Sequence, residues 1–499
     1  MKIAKSLLLG STAGLVAVSG TQAADIPVKA KPVQYVKICS LYGEGFYYIP
    51  GSEICLKIGG YVQADYGWNR AGSGQQHYTG ANGAQDRSVN PYSSRHRAHF
   101  NFDSRTQTAY GTLRTFVTVH IENRDQGTVT VSPARAFIQW AGFTFGHTKS
   151  FTDVPGTPAA DSFRSLHQNQ NISDTGANGT NQIAYTWELG SGMTLSVGAD
   201  ERRTKGLGNL SLNVTTVGAQ PTTAFGPYQH PTPWVNFAVN QAWGRFGASA
   251  IFNKINAQYY TDALGVSGYA PSTACVSQPG TTFCGYPDDK WGWAVLSGID
   301  IKAPALGPGD HFGGFFNYGQ GAAAYSGGSN LGSPGLFGSG NTVALGVISD
   351  AVFVNGGQFE LTTAWSTGVG YEHFWLPNFS TTVYGTYTQV RYNDTVVNSR
   401  FFCGGGGATN QNIRVGADVT CDPGFNFWLV GTHTDWYPVP GFRLAVEVLY
   451  TRIETAFDGQ TVTLSKAQGL RPTGLYTAKD QGIISVGFRA VRSFATGGE

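Results

Sequence analysis

Apolar and polar residues trade places along much of this 499-residue chain. Leu56, Ile58, Val62, Ala64 and Tyr66 share one parity, and Lys57, Tyr61, Gln63 and Asp65 share the other. The pattern returns in Ala98, Phe100 and Phe102 against Arg97, His99, Asn101 and Asp103, and in Leu444, Val446, Val448 and Tyr450 against Arg443, Glu447 and Thr451. Successive strand side chains point to opposite faces, so each segment has one apolar and one polar side. The first strand starts near Cys55. Others are expected around 94–104, 110–122, 133–141, 182–188, 192–201, 234–241, 245–254, 291–302, 311–318, 342–353, 358–374, 379–391, 425–436, 442–453 and 481–494. Closed bacterial barrels need an even number of strands, so the expectation is about sixteen, a size that keeps an aqueous lumen. The fold class is therefore all-β, a transmembrane antiparallel barrel.

The start of the chain sets the compartment. Lys2 and Lys5 precede a short apolar run, Leu7 to Val18, and Thr21-Gln22-Ala23 has the small residues of a cleavage site. Residues 1–23 read as a signal peptide, so the mature chain is exported. No later stretch is apolar over the 18 or more residues that a spanning helix requires. Residues 24–54 form a polar lead-in carrying Lys29, Lys31 and Lys37.

Composition sharpens the picture. Charged residues make up 13%, against about a quarter in a typical soluble protein. The 68 glycines and 13% aromatics suit tight turns and aromatic girdles at bilayer interfaces. The chain carries 33 Lys and Arg against 31 Asp and Glu. Loss of Lys2 and Lys5 with the signal peptide leaves it formally neutral, which gives no reason to expect a nucleic-acid partner. Six cysteines fall into three local pairs, Cys39 with Cys55, Cys275 with Cys284, and Cys403 with Cys421. Export favours disulfides. No Cys-x-x-Cys or neighbouring His pair suggests a metal, and no cofactor is expected.

Loop lengths alternate. Trp243-Gly244-Arg245, Trp375 to Asn378 and Tyr437 to Gly441 mark tight turns, whereas 70–92, 202–232, 256–289, 319–340, 392–424 and 455–480 are long. Short turns on one rim and long loops on the other describe a barrel in the outer membrane of a Gram-negative bacterium. Aromatics crowd strand ends, as at Trp291 and Trp293, Phe374 and Trp375, and Trp436 and Tyr437. In the last strand Ile484, Val486, Phe488, Ala490 and Phe494 share a phase that Arg492 breaks, close enough to the end to snorkel.

The block Cys39-Ser-Leu-Tyr-Gly-Glu-Gly-Phe-Tyr-Tyr-Ile-Pro-Gly51, followed by Cys55-Leu-Lys-Ile-Gly-Gly-Tyr61, resembles the mature N-terminus of the alphaproteobacterial porin family. Ala136 to Gly146 with Ser150-Phe151 is similar to that family's run into its pore-constricting loop; Glu372 to Pro377 and Val446 to Arg452 resemble its later strands. The resemblance spans about 39–494. It implies a homotrimeric outer-membrane channel of sixteen strands, with the barrel over 55–494, a periplasmic lead-in and an inward-folded loop at 148–181. Family members usually end on an aromatic residue; here Phe494 is followed by a short tail, 495–499.

Such a channel works by electrostatic and steric sieving. Strand parity turns Arg95, Arg97, Arg114 and Arg135 toward water, while Phe100, Phe102, Leu113, Val117, Ile138 and Trp140 face lipid. Arginine facing lipid at mid-depth would cost roughly 2–4 kcal/mol. The four arginines form a basic wall, or else pair locally with Asp103, Glu122 or Asp125 and only brace the barrel. Asp153 and Asp161 of the inward loop, with Asp174 farther along beside Lys149 and Arg164, are candidates for the opposing acids. An enzyme reading has little to stand on: there is no Gly-x-Ser-x-Gly elbow, and His96 and His99 lie on opposite faces. The leading reading is a general porin for passive diffusion of small hydrophilic molecules and ions, with lipopolysaccharide at its outer rim. A substrate-selective channel, with Tyr61, Phe116 and Phe137 lining a sugar path, and a closed structural barrel are the alternatives.

Overall fold

The computed structural model describes residues 37–71, 75–76, 90–125, 127–155, 174–176, 179–210, 222–223, 225–258, 285–328, 331–354, 357–399, 402, 413–415, 421–464 and 471–494. Asp161, Arg164, Cys275, Cys284, Cys403, the signal peptide and the tail 495–499 lie outside the described residues.

Sixteen antiparallel strands close into one barrel. They are β1 (Cys55–Trp68), β2 (Tyr92–Thr108), β3 (Gly111–Arg124), β4 (Thr130–Trp140), β5 (Phe143–Thr148), β6 (Thr180–Gly190), β7 (Met193–Asp200) and β8 (Thr232–Gln241). The second half comprises β9 (Gly244–Ile255), β10 (Lys290–Lys302), β11 (His311–Gln320), β12 (Thr363–Leu376), β13 (Phe379–Arg391), β14 (Phe425–Val439), β15 (Phe442–Glu454) and β16 (Gln481–Ser493). Each strand pairs with its sequence neighbour, and β1 pairs with both β2 and β16, which removes every free edge. The short connections share one end. Ala141-Gly142 (φ 50° and 86°) and Ser191-Gly192 (φ 52° and 72°) show why they stay tight: two consecutive left-handed residues match the twist of the flanking strands. The long loops share the other end.

The expected number of strands is right through two offsetting differences. Phe143–Thr148 is a wall strand that the sequence reading left unassigned between the strand at 133–141 and the loop at 148–181; the Ala141-Gly142 turn separates it from β4. The stretch 342–353 is no wall strand. Thr342–Leu345 and Ala351–Phe353 are short strands inside the long segment between β11 and β12. Val343, Ala344 and Leu345 are all buried. A run buried on both faces lacks the alternation of a lipid-facing strand.

The apolar parity faces outward as expected: Ile58, Val62, Phe102, Val117, Ile138, Val446, Ile484 and Phe488 are exposed. Aromatic rows cap both ends of this band, with Trp140, Trp187, Trp375 and Trp436 at the turn end and Trp68, Tyr92, Trp291 and Trp293 at the loop end. At the turn end the lead-in is stapled to β1 by the Cys39–Cys55 disulfide, with a Cα–Cα separation of 5.9 Å. Tyr47-Tyr48 adds a two-residue strand against Leu56 and Cys55. Cys421 is also disulfide-bonded, its partner lying outside the described residues.

The interior departs from a uniformly polar lumen. Toward the loop end of β12–β16, inward-facing Ala364, Val390, Phe425, Phe427, Leu429, Leu449, Ile453 and Ile483 form one apolar cluster with Leu336, Phe337, Val343, Leu345, Tyr392, Val462 and Tyr476 from the long loops. The loops also pair with one another: Leu207–Asn209 runs parallel to Ala351–Phe353, Thr342-Val343 runs parallel to Thr477-Ala478, and Ile413–Val415 pairs with Thr461–Leu464. The result is a folded cap with its own dry core.

One buried carboxyl group ties the cap together. Asp350 accepts a hydrogen bond from the Lys205 backbone N–H at 2.6 Å, and the Lys205 ammonium donates to the Leu331 carbonyl. Burial pushes the Asp350 carboxyl up to about 7 and the Lys205 amine down to about 8. Between pH 4 and 7 the folded cap holds a proton on Asp350 that the unfolded chain has released. Cap stability should therefore rise as pH falls from about 7 toward 4, read as slower proteolysis of the cap segments, and Asp350→Asn should flatten that slope. An unchanged slope in the variant would exclude Asp350 as its source.

Candidate functional site

The inner face of β1–β4 and β16 carries a chain of ion pairs. Asp65 on β1 faces Arg95 on β2 and Arg489 on β16, each at 2.6 Å, because the register sets all three side by side. Gln63 donates to the same carboxylate at 2.7 Å. Glu122 on β3 meets Arg97 at 2.6 Å, Arg124 at 2.8 Å and Arg95 at 3.8 Å. Asp103 meets Arg105 at 2.8 Å and Arg114 at 3.0 Å, and the Arg114 guanidinium lies over the rings of Phe116 and Phe137. Three of the four sequence-identified arginines thus have carboxylate partners on neighbouring strands, two of the acids being those the sequence offered. Asp125, the third, instead accepts the Ser94 backbone N–H.

Arg135 reaches the inner face through a bulge. The β3–β4 register slips between Thr118 and Val119, so Pro133 and Arg135 oppose consecutive residues and Ala134 is the extra one. The guanidinium donates to the carbonyls of Ala134 and Gly176, both at 2.7 Å, so it touches the segment between β5 and β6.

The described start of that segment lies inside the barrel. Phe151 stacks on Trp234 with ring centroids 5.5 Å apart, and Val154 joins a buried cluster with Ile251, Leu296 and Phe315. Gly298 on β10 makes room: a Cβ there would overlap the Pro155 carbonyl. The Asp153 side chain is buried. It accepts from the Thr175 backbone N–H at 2.9 Å and from its hydroxyl at 2.6 Å, and lies 3.8 Å from Arg203. These contacts hold Asp153 within the loop's own anchorage.

Further acids sit on the wall itself. Asp300 on β10 binds Arg245 at 2.7 Å and His311 at 2.9 Å, and His311 also meets Glu372 on β12 at 2.9 Å. Asp435 on β14 binds Arg443 at 2.8 Å, and Glu447 on β15 accepts a hydrogen bond from Tyr384. Parity places all four inward. Alternation puts Glu447 on the polar parity of its strand, and the same rule applied to Glu372, which lay within a block that carried the family resemblance, would have found it. One side of the inner wall is therefore arginine-rich, over β1–β4 and β16, and β10–β15 carries these carboxylates.

Among the described residues, two cavities that open on the inner face stand out. One, of about 720 Å³, is lined by Trp243, Arg245, Asp300, His311, Glu372 and Phe374. The other, of about 430 Å³, is lined by Tyr61, His99, Asn101, Thr118, His120, Arg135, Tyr437 and Arg443. Among the described residues no group of three or more His, Cys, Asp or Glu is arranged to hold a metal ion.

Comparison with known proteins agrees with this geometry. The sequence pattern of the porin subfamily matches residues 25–485. Porin Omp2a of Brucella ovis is 28% identical over 323 residues, covering 60% of this chain and 86% of that porin. A putative outer membrane protein, y4fJ of Sinorhizobium fredii, is 32% identical over 191 residues, covering 37% of this chain and 51% of that one. The outer-membrane channel DcaP of Acinetobacter baumannii shares the fold, with a TM-score of 0.56 at 16% identity over 90% of this chain and 99% of that one. A closed sixteen-stranded barrel with lipid-facing aromatic rows and an ion-paired inner wall, matched by this pattern over nearly its whole length, places the chain in the porin subfamily as an outer-membrane channel.

Proposed function

We propose that the barrel works as a homotrimer that lets small hydrophilic molecules and ions diffuse passively, with Arg95, Arg97, Arg114 and Arg135 lining the conducting path. The observation that carries this reading is the uneven inner wall: on β1–β4 and β16 the arginines outnumber their partners Asp65, Asp103 and Glu122, whereas β10–β15 carries Asp300, Glu372, Asp435 and Glu447 against Arg245, His311 and Arg443. Fixed opposite charges across a water-filled passage orient permeating dipoles and bias ion passage. In this reading 1–23 is a cleaved signal peptide, 24–54 a periplasmic lead-in, and 148–181 the constriction loop. Asp153 anchors that loop, and Asp161 is an acid it brings to the path. The apolar outer faces of β1 and β16, with Ile58, Val62, Ile484 and Val486, form the subunit contact, and lipopolysaccharide meets the loop-end rim.

Single-channel recording of the purified protein tests both parts: three equal conductance steps are expected. Replacing Arg95, Arg97 and Arg135 together by glutamine should move the reversal potential in a salt gradient toward cation preference, and an unchanged potential would remove these residues from the path. A substrate-selective channel draws support from the Tyr61 and Tyr437 rings in the 430 Å³ cavity. Liposome swelling separates the two, since uptake graded by solute size favours the general porin and one preferred solute favours the selective channel.

A further inference from the structure

His99 on β2 and His120 on β3 are direct cross-strand partners on the inner face. Their ring centroids lie 4.7 Å apart, and His99 Nδ1 and His120 Nε2 approach to 2.7 Å. Both line the 430 Å³ cavity, so the pair borders open space. The His99 ring is held from its other side by Tyr61, stacked at a centroid distance of 4.3 Å. Beside it Thr118 donates to Asn101 at 2.8 Å. The two facing nitrogens are hydrogen-bonded to one another, and the strand ladder fixes the backbones that carry them.

We propose that His99 and His120 form a first-row transition-metal site on the lumenal wall, with Cu²⁺ as the preferred ion. Two nitrogens bound side by side to one such ion at about 2.0 Å each lie roughly 3 Å apart, so the pair keeps nearly its present separation while the rings turn to aim both lone pairs at the ion. Imidazole is a good ligand for this series, and affinity along it peaks at copper. Binding needs a lone pair on both facing nitrogens. The proton they share moves to the far nitrogen of its own ring, so the site loads without net proton release. Water completes the coordination sphere from the cavity side. The surrounding charge selects the remaining ligand. Glu122 is shared among Arg97, Arg124 and Arg95, and Arg135 and Arg443 line the same cavity, so the surroundings favour an ion that brings an anion with it. Chloride or a permeating carboxylate fits that position.

The test is electron paramagnetic resonance of the full-length protein in detergent, titrated with CuCl₂. It reads the site whether or not the barrel conducts. The expected result is a Cu²⁺ spectrum with superhyperfine splitting from two nitrogens at one equivalent per chain. Either single substitution, His99→Gln or His120→Gln, should raise the half-saturating CuCl₂ concentration by about tenfold or more, and the double substitution should abolish the signal. Unaltered heat-modifiable migration on gels would show that the variants fold. His311→Gln, on the opposite wall, should leave the spectrum unchanged. Absence of a two-nitrogen signal in the wild-type protein, or its persistence in the folded double variant, would overturn the assignment.

Discussion

Replacing Asp65 with alanine should lower barrel stability by about 3–5 kcal/mol, the range measured when one partner of a buried ion pair is removed. Asp65 is the shared counter-ion of Arg95 and Arg489, and its side chain is only 2% exposed. The three residues sit on β2, β1 and β16, where the first and last strands close the cylinder. Removing the carboxylate leaves two guanidinium groups side by side at the seam. The expected readouts are a lower temperature for conversion from the folded to the unfolded gel band and a reversal potential shifted toward anions. Arg489→Met combined with Asp65→Ala should recover part of the lost stability, since it removes one of the two stranded charges. A D65A protein with unaltered melting would mean that the seam is held by its backbone ladder alone.

A second large effect is expected inside the cap. Leu449 on β15 is fully buried within the cluster that joins the wall to the loops. Truncation of such a side chain to alanine costs about 2–5 kcal/mol. Leu449→Asp adds an unpaired carboxylate to an apolar site, a larger penalty still. The wall strands keep their ladder on both sides, so the cap should give way before the barrel does. L449D should therefore show rapid protease cleavage within 331–354 and a higher single-channel conductance, with L449A between it and wild type. Wild-type conductance together with wild-type cleavage would show that the cap does not restrict the path.

Alternation revealed the wall because half of every strand meets hydrocarbon and half meets water. Where a third environment intrudes, the signal breaks. The inward residues Phe427, Leu429 and Leu449 are as apolar as their lipid-facing neighbours, since they meet the cap rather than water. The run 342–353 looked like a strand for its apolar content and proved to be part of that core. Strand β5 was lost because a six-residue strand offers too few alternations to stand apart from the loop that follows. The arginines were legible because a charge excluded from lipid can only point inward. Their partners were only partly so: Asp103 and Glu122 were named, but the Asp65 triad depends on closure between residues more than four hundred positions apart. The His99–His120 pairing likewise required the β2–β3 register, which spacing alone does not supply.

The parallel pairing of Thr342-Val343 with Thr477-Ala478 has a consequence for biogenesis. The cap borrows a strand that is translated just before β16, so it cannot consolidate while the chain is still emerging. During export the apolar segment around Val343 to Val347 therefore travels without its final neighbours until the cylinder shuts.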